Sequence, residues 1–464
     1  MDTIESTEHP AATVQAGTWI SRLKRADIPD AVWGHAKLCL LDALGCGLHG
    51  SQQPWGAISA AVALELNSGG PASIWGGVRR CGLDGAAMTN GTAIHGFELD
   101  DVHMGSAAHL GSVTVPVAFA LAEAYNKTAS EVLTAIIAGY EIGGRVGIAA
   151  GPRHGQRGFH TTGTVGTIAA SATAAHILGL NAEATINTLG LGATQAAGLH
   201  SAHTGAMSKR LHAGRAAQSG IVAALLAQRG FTGSHIALEQ PFGGFFSTLC
   251  DGADVQAACA ELGTRWETME VGFKVHSSCA LTHGMVDALD QLLKRGVSAA
   301  NLARLRIAVA RKAYATIARS YVPSGVVAAQ MNGYYTAAVK MLDGVAFIDQ
   351  FTDARLADPA ILKLIEKITI VHDTALDAGG QATRHAARVE ALLADGRTLT
   401  ESVDQRRGSS RYPLSRDEVH AKFRRLAGMC ISTQAADKII DLVDTLDALP
   451  NVRAIADAMR GKQV

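Results

Sequence analysis

Between residues 12 and 265 the chain repeats apolar residues at three-to-four spacing in one segment after another, with almost no strand-like alternation. Segments 12–23, 30–48, 57–66, 83–101, 113–125, 129–149, 164–178, 182–197, 213–227 and 254–262 all read as helices. In segment 30–48, Val32, Ala36, Leu40, Ala43 and Leu44 mark a core face, and the Pro-containing stretch Asp27 to Asp30 supplies a polar start. Only 72–75 resembles a strand. More than half the chain must therefore be built by packing helix on helix.

The texture changes near Trp266. WETMEVGFKVH has strand-like character, 279–293 returns to helix, and LRIAVA at 305–310 is a clean strand. A helix follows at 331–342 and a strand at 368–371. Strands 387–392 and 398–402 flank Ala394-Asp395-Gly396 as a hairpin. Segments 415–427, 433–446 and 451–459 are helical again. The expected architecture is mainly α. A large all-helical domain spans 1–266 and is completed by helices in 406–464, and a smaller α+β domain at 267–405 caps it. Residues up to Pro10 read as a loose tail.

Composition narrows the function. The 464 residues balance 41 Lys and Arg against 41 Asp and Glu, and no basic run suggests nucleic acid. Only 18% of residues are charged, and Gly and Ala are abundant, which favours close helix packing and a sizeable subunit interface. The seven cysteines form no CxxC pair, and their odd number speaks against a disulfide framework, so a reducing cytoplasm is the expected setting. The acidic, polar N-terminus is no signal peptide, and no uninterrupted apolar run reaches the roughly 18 residues of a membrane span.

Four stretches carry ionisable residues in an otherwise apolar chain. The first, GTAIHGFELDDVHMGSAAHLGSVTVP at 91–116, holds Glu98, Asp100, Asp101, His103 and His109. If the helix ran on to Asp101, Glu98 and Asp101 would share a face, and a following Gly/Ser loop could return His109 over them. Carboxylates beside imidazoles move protons near neutral pH. The second, GPRHGQRGFHTTGTVG at 151–166, is a Gly-rich connection that places His160, Thr161 and Thr162 at a helix mouth, either as capping or as a carboxylate cradle. In the third, SAHTGAMSKRLHAGR at 201–215, Lys209, Arg210, His212 and Arg215 gather before a helix whose dipole repels buried cations unless an anion is present. The fourth, GFKVHSSCALTH at 272–283, sets Cys279 at a helix start, as an acid or base or as an inert packed thiol. No grouping has zinc spacing, and nucleotide-loop and GxSxG patterns are absent.

Together NGTAIHGFELDD with the later His109, GFHTTGTVGT, MSKRLHAGRAA and FKVHSSCALTH resemble the MmgE/PrpD family over nearly the whole chain. That family includes 2-methylcitrate dehydratase, cis-aconitate decarboxylase and iminodisuccinate epimerase. The resemblance implies a helical domain plus a smaller α+β domain, usually a homodimer, and no metal or organic cofactor. It implies His109, His160, Cys279, Glu98 and Asp101 as catalytic residues. Lys209, Arg210, Thr161, Thr162 and a tyrosine at Tyr335, or the adjacent Tyr334, are implied to bind substrate. Three positions depart from the decarboxylases: Glu98 replaces Asp, Val102 stands where a Thr would be, and Cys279 replaces His. FELDDVH and SCxLTH look more like the epimerase branch.

The expectation is a cofactor-independent, epimerase-like enzyme moving a proton beside a carboxylate of a small di- or tricarboxylate. A hydro-lyase of the 2-methylcitrate dehydratase type is the second reading, and a cis-aconitate decarboxylase ranks below it. A catalytically dead carboxylate-binding helical protein is the non-enzyme reading. Because the candidates come from both parts of the chain, the site is expected in the seam between them, with Lys209 gripping a substrate carboxylate.

Overall fold

The computed structural model describes residues 11–380 and 383–461, so the tail expected before Pro10 lies outside the described residues. It is mainly α, with small sheets. Ala12–Arg22, Asp30–Ser51, Pro54–Leu66, Leu83–Ile94, Gly111–Tyr125, Ala129–Gln156, Thr161–Ile177, Ala182–Ala193 and Ser208–Gln228 are the helices of the first half. Their local signals are physical. Thr128 caps Ala129–Gln156 by accepting the Glu131 N–H at 3.1 Å, while the Glu131 carboxylate accepts the Thr128 N–H at 2.8 Å. That helix bends at Gly151 (φ 64°), next to Pro152, whose ring cannot continue the backbone ladder. The connection expected from residue 151 is therefore partly a helical turn. By length and composition this helix could cross a membrane, but 94% of its most apolar window is buried inside the protein.

Small residues bring the central helices almost into backbone contact. A methyl group on Gly214 would stand 2.3 Å from the Met88 carbonyl oxygen, and one on Gly91 3.2 Å from the Gly214 Cα. Leu83–Ile94 thus crosses Ser208–Gln228 at two glycines. Two segments of the boundary region fall short of expectation. Residues 254–262 make only the short turn Val255–Ala258, capped by Asp254, and strand character near 266–276 shrinks to Val271–Gly272.

The later part holds a four-stranded sheet in the order Ile368–His372, Leu302–Val309, Ala387–Leu393, Thr398–Val403. The first pair is parallel (Leu305 opposite Ile368) and the others are antiparallel, with the hairpin turning through Gly396 at φ 89°. Ala280–Lys294 and Gly333–Asp343 are the longer helices beside it. The chain then returns. Arg416–Ala427 buries Val419, Phe423 and Leu426 and packs on Asp30–Ser51.

Backbone pairing and a buried ion pair are among the features around the junction of the parts. Val102–His103 pairs antiparallel with Val271–Gly272, Val102 opposite Gly272. Buried Glu141 accepts the N–H groups of Glu267 and Thr268 at 3.0 and 2.8 Å, and its ion-pair partner Arg145 donates to the carbonyls of Ala260, Glu261 and Arg265.

Candidate active site

The helix Leu83–Ile94 does not reach the acids. His95 and Gly96 close its last turn through N–H bonds to Gly91 and Ala93, and the chain then winds irregularly, with Glu98 held at φ 56°. Left-handed backbone at a glutamate is costly and persists only where the surroundings over-determine it. Here they do. The Phe97 carbonyl accepts from Ser277 Oγ at 3.1 Å and Gln330 Nε2 at 3.0 Å, and the Leu99 carbonyl accepts from Lys422 Nζ at 2.6 Å. Lys422 also bonds Asp42 at 2.6 Å, so the returning C-terminal helix props this turn.

Freed from a common helix face, the three buried acids point at three different partner sets. Glu98 pairs with Lys209, with Arg210 at 2.6 Å and with Lys274 at 3.1 Å. Burial alone would raise its pKa, but the charges of Lys209, Lys274 and Arg210 hold it well below the usual carboxylate range. Asp100 Oδ2 lies 2.6 Å from His95 Nδ1 and 3.2 Å from His109 Nδ1. Burial would raise its pKa, and the two imidazoles, through charge and hydrogen bonding, pull it well below the usual carboxylate range. Asp101 turns away from both: it bonds the Tyr140 hydroxyl and accepts the Gly111 N–H at 3.1 Å. Burial lifts its pKa to about 8. Glu98 and Asp101, expected on one helix face, are separated.

Around Asp100 the imidazoles touch one another. His95 lies edge-on to His109 (4.7 Å between ring centres) and stacks on His160 (5.5 Å). His160 contacts His203 at 4.6 Å, and its Nδ1 lies 2.9 Å from His212 Nδ1. His160 heads the helix Thr161–Ile177, and the Thr162 hydroxyl accepts the His109 N–H at 3.2 Å, tying the returning loop to this helix mouth. Thr161 is the half-buried first residue of the helix. Burial lowers the pKa of His109 against the pull of Asp100, and burial with the nearby His203 lowers His160 further. Both shifts favour the neutral imidazole, the form able to accept a proton.

Lys209 and Arg210 lie in the first turn of Ser208–Gln228, both buried, and their internal partner is Glu98. The repulsion inferred from sequence is thus met first by a glutamate of the chain itself. It is not fully met: Lys209, Arg210 and Lys274 are three cations facing two carboxylates, Glu98 and Asp100. Arg210 Nε and Nη2 are buried without a hydrogen-bond partner among the described residues. A carboxylate of a bound anion has the geometry to satisfy them. Cys279 caps the helix Ala280–Lys294 from its N-terminal side, its N–H bonded to the Gln330 carbonyl at 2.9 Å. Burial, and next the charge of Glu98, raise the thiol's pKa, so it keeps its proton. Tyr335 is not part of this cluster. Its hydroxyl donates to the Gln350 carbonyl at 2.7 Å and its ring packs on Tyr321 and Phe351, while Tyr334 is half-buried beside it.

Sequence reasoning left four participants off the candidate list: His95, Asp100, Lys274 and His203. All four stood inside the quoted motifs, but the short strand pair that brings Lys274 to Glu98 had no pattern of its own. His95, Asp100 and His109 bring potential metal-ligand atoms within 4.8 Å of one another, a grouping that residue spacing did not reveal. Lys274 Nζ lies 3.7 Å from Asp100 and the surrounding charge is cationic, which suits an anion better than a metal ion. What the arrangement can do is hold a carboxylate on Arg210 and Lys209, offer a neutral imidazole as base, and offer a protonated thiol as acid.

The MmgE/PrpD N-terminal domain model matches residues 14–258 and the MmgE/PrpD C-terminal domain model residues 276–448. The chain is 31% identical to the cis-aconitate decarboxylase-like protein oryM of Aspergillus oryzae, over all of both chains. It is 30% identical to the cis-aconitate decarboxylase of Aspergillus terreus, over 98% of this chain and 97% of the relative. It is 27% identical to the cis-aconitate decarboxylase of Homo sapiens, over 97% and 94%.

Proposed function

The chain belongs to the MmgE/PrpD family, and from that premise we propose that it is a cofactor-independent enzyme that moves a proton at carbon beside a carboxylate of a small di- or tricarboxylate. The observation that carries this reading is the Asp100 carboxylate 3.2 Å from His109 Nδ1, next to a buried cluster of cations in which Arg210 Nε and Nη2 have no hydrogen-bond partner among the described residues. Lys209 and Arg210 take the substrate carboxylate adjacent to the reacting carbon. His109, oriented by Asp100, removes the proton while the charge that develops on the carboxylate is stabilised by those cations. His160 holds the helix mouth with Thr161 and Thr162 and is the second candidate base. Cys279 returns a proton.

Two outcomes follow from that shared step. A neutral thiol from one part of the chain and an imidazole from another suit removal and return of a proton by different groups, an epimerase-like course. The names of the relatives favour a lyase instead, on cis-aconitate or, for a dehydratase, 2-methylcitrate. Glu98 and Cys279 speak against itaconate formation: Glu98 is committed to three cations, and a thiol replaces an imidazole. Proton NMR of these acids and of iminodisuccinate, with enzyme in buffered D₂O, separates the outcomes. Deuterium uptake without a new product supports epimerisation, a new alkene from 2-methylcitrate supports dehydration, and loss of CO₂ from cis-aconitate supports decarboxylation. Absence of every one contradicts the proposal.

We further propose a homodimer working in a reducing, cytoplasmic setting. All seven cysteines are unpaired, and Ile58, Val62 and Leu66 expose an apolar stripe along one side of Pro54–Leu66.

A further inference from the structure

A cleft of about 310 Å³ opens where the turn His200–Thr204 of the helical part faces residues 315–332 of the other part. Its wall includes His200, His203, Arg319, Ser320, Tyr321 and Asn332, and no acidic residue. The His203 ring that lines it is the same ring that contacts His160 at 4.6 Å, so the cleft adjoins the histidine cluster. Several wall groups are already committed. Tyr321 donates its hydroxyl to the Leu356 carbonyl at 2.8 Å, and Asn332 bonds the Arg319 carbonyl and the Tyr335 N–H. Two are not. His203 Nε2 is buried without a partner, and the exposed Arg319 guanidinium has no carboxylate within ion-pair distance among the described residues. Lys312 lies nearby, its charge acting on His200.

We infer that this cleft is a second carboxylate subsite, in which Arg319 and the His203 ring N–H receive the remote carboxylate of a tricarboxylate whose near carboxylate sits at Lys209 and Arg210. Arg319 is then a specificity-determining residue that favours tricarboxylates over dicarboxylates. A guanidinium suits this role because its planar fork can bind a carboxylate through two hydrogen bonds. The inference rests on the carboxylate reading proposed above but not on which reaction follows.

The test is calorimetric titration of the full-length protein with tricarballylate and, separately, with succinate, neither of which needs turnover. Arg319→Gln should weaken tricarballylate at least tenfold and leave succinate within twofold, and Arg319→Lys should recover part of the loss. Arg319 is exposed, so both variants should keep the wild-type melting temperature. Unchanged tricarballylate affinity, equal weakening of both acids, or failure of the wild type to bind tricarballylate would each overturn the subsite. If the binding difference appears but no acid shows proton exchange or product, the subsite stands and the proposed reaction falls.

Discussion

At the scale of single residues, the three acids of one turn play three parts, and each part has its own test. In the proposed reaction Asp100 positions His109, so His109→Gln should cut kcat/KM by roughly 10²–10⁴ while leaving the fold intact, measured as initial rates beside circular dichroism. Because burial depresses His109, the acid limb of kcat/KM should lie below pH 6.5: activity persists as pH falls past the ordinary histidine value and is lost only on passing the depressed one. Asp101 behaves oppositely. Its folded pKa, about 8, is raised above the unfolded value near 4, so the folded state holds a proton that the unfolded state releases. Its contribution is therefore greatest below about pH 4 and is lost as pH rises toward 8. Asp101→Asn keeps an acceptor for the Gly111 N–H and should flatten that loss, raising the melting temperature at pH 7.5 relative to wild type. An unchanged pH dependence of melting would show that Asp101 is ionised in the fold. Glu98→Gln leaves Lys209, Arg210 and Lys274 buried without their carboxylate. It should cost about 3–5 kcal/mol, by denaturant titration, and millimolar tricarballylate should restore part of it.

At the scale of elements, the fold positions the site by letting helices approach where side chains are absent. Gly214→Ala would push a methyl against the Met88 carbonyl in the crossing that carries Lys209 and Arg210. Overpacking of this kind costs about 1–3 kcal/mol, and it should raise KM together with the loss of melting temperature. Most of these elements were legible in the sequence, because amphipathic or small-residue helices of ten or more residues repeat their period several times. Ser208–Gln228 began a turn earlier than its apolar pattern, since buried Lys209 and Arg210 read as surface until Glu98 is known to face them. Residues 95–101 were misread for a related reason. Periodicity ran through Phe97, but three carboxylates needing partners in three directions broke the helix at Ile94. A strand pair two residues long leaves no period to read, so the meeting of Lys274 with Glu98 was invisible. His109, His160 and Lys209 were found by motif, whereas His95 and His203 join them only through packing.

At the scale of the molecule, an acidic turn in the helical part is clamped from the later part by Ser277, Gln330 and Lys274 and from the C-terminal helices by Lys422. The candidate groups His109, His160 and Lys209 sit where those segments converge, and the cluster of Lys209, Arg210 and Lys274 there suits the anionic substrate proposed above. Activity should survive exhaustive EDTA treatment. Loss that one divalent ion restores would reassign His95, Asp100 and His109 as metal ligands. The proposed dimer is tested by sedimentation: the wild type should run as a dimer, and Val62→Glu, within the exposed stripe of Pro54–Leu66, should shift it toward monomer. The central claim is that His109, oriented by Asp100, removes a proton from carbon beside a carboxylate held in this cationic seam. Its most direct test is hydrogen exchange at the methylene of cis-aconitate or tricarballylate in D₂O, followed by NMR for wild type and His109→Gln side by side. The account predicts enzyme-dependent deuterium incorporation by the wild type and at least a hundredfold slower exchange in the variant. Equal exchange by both proteins, or none by the wild type while it binds the acid, would contradict it.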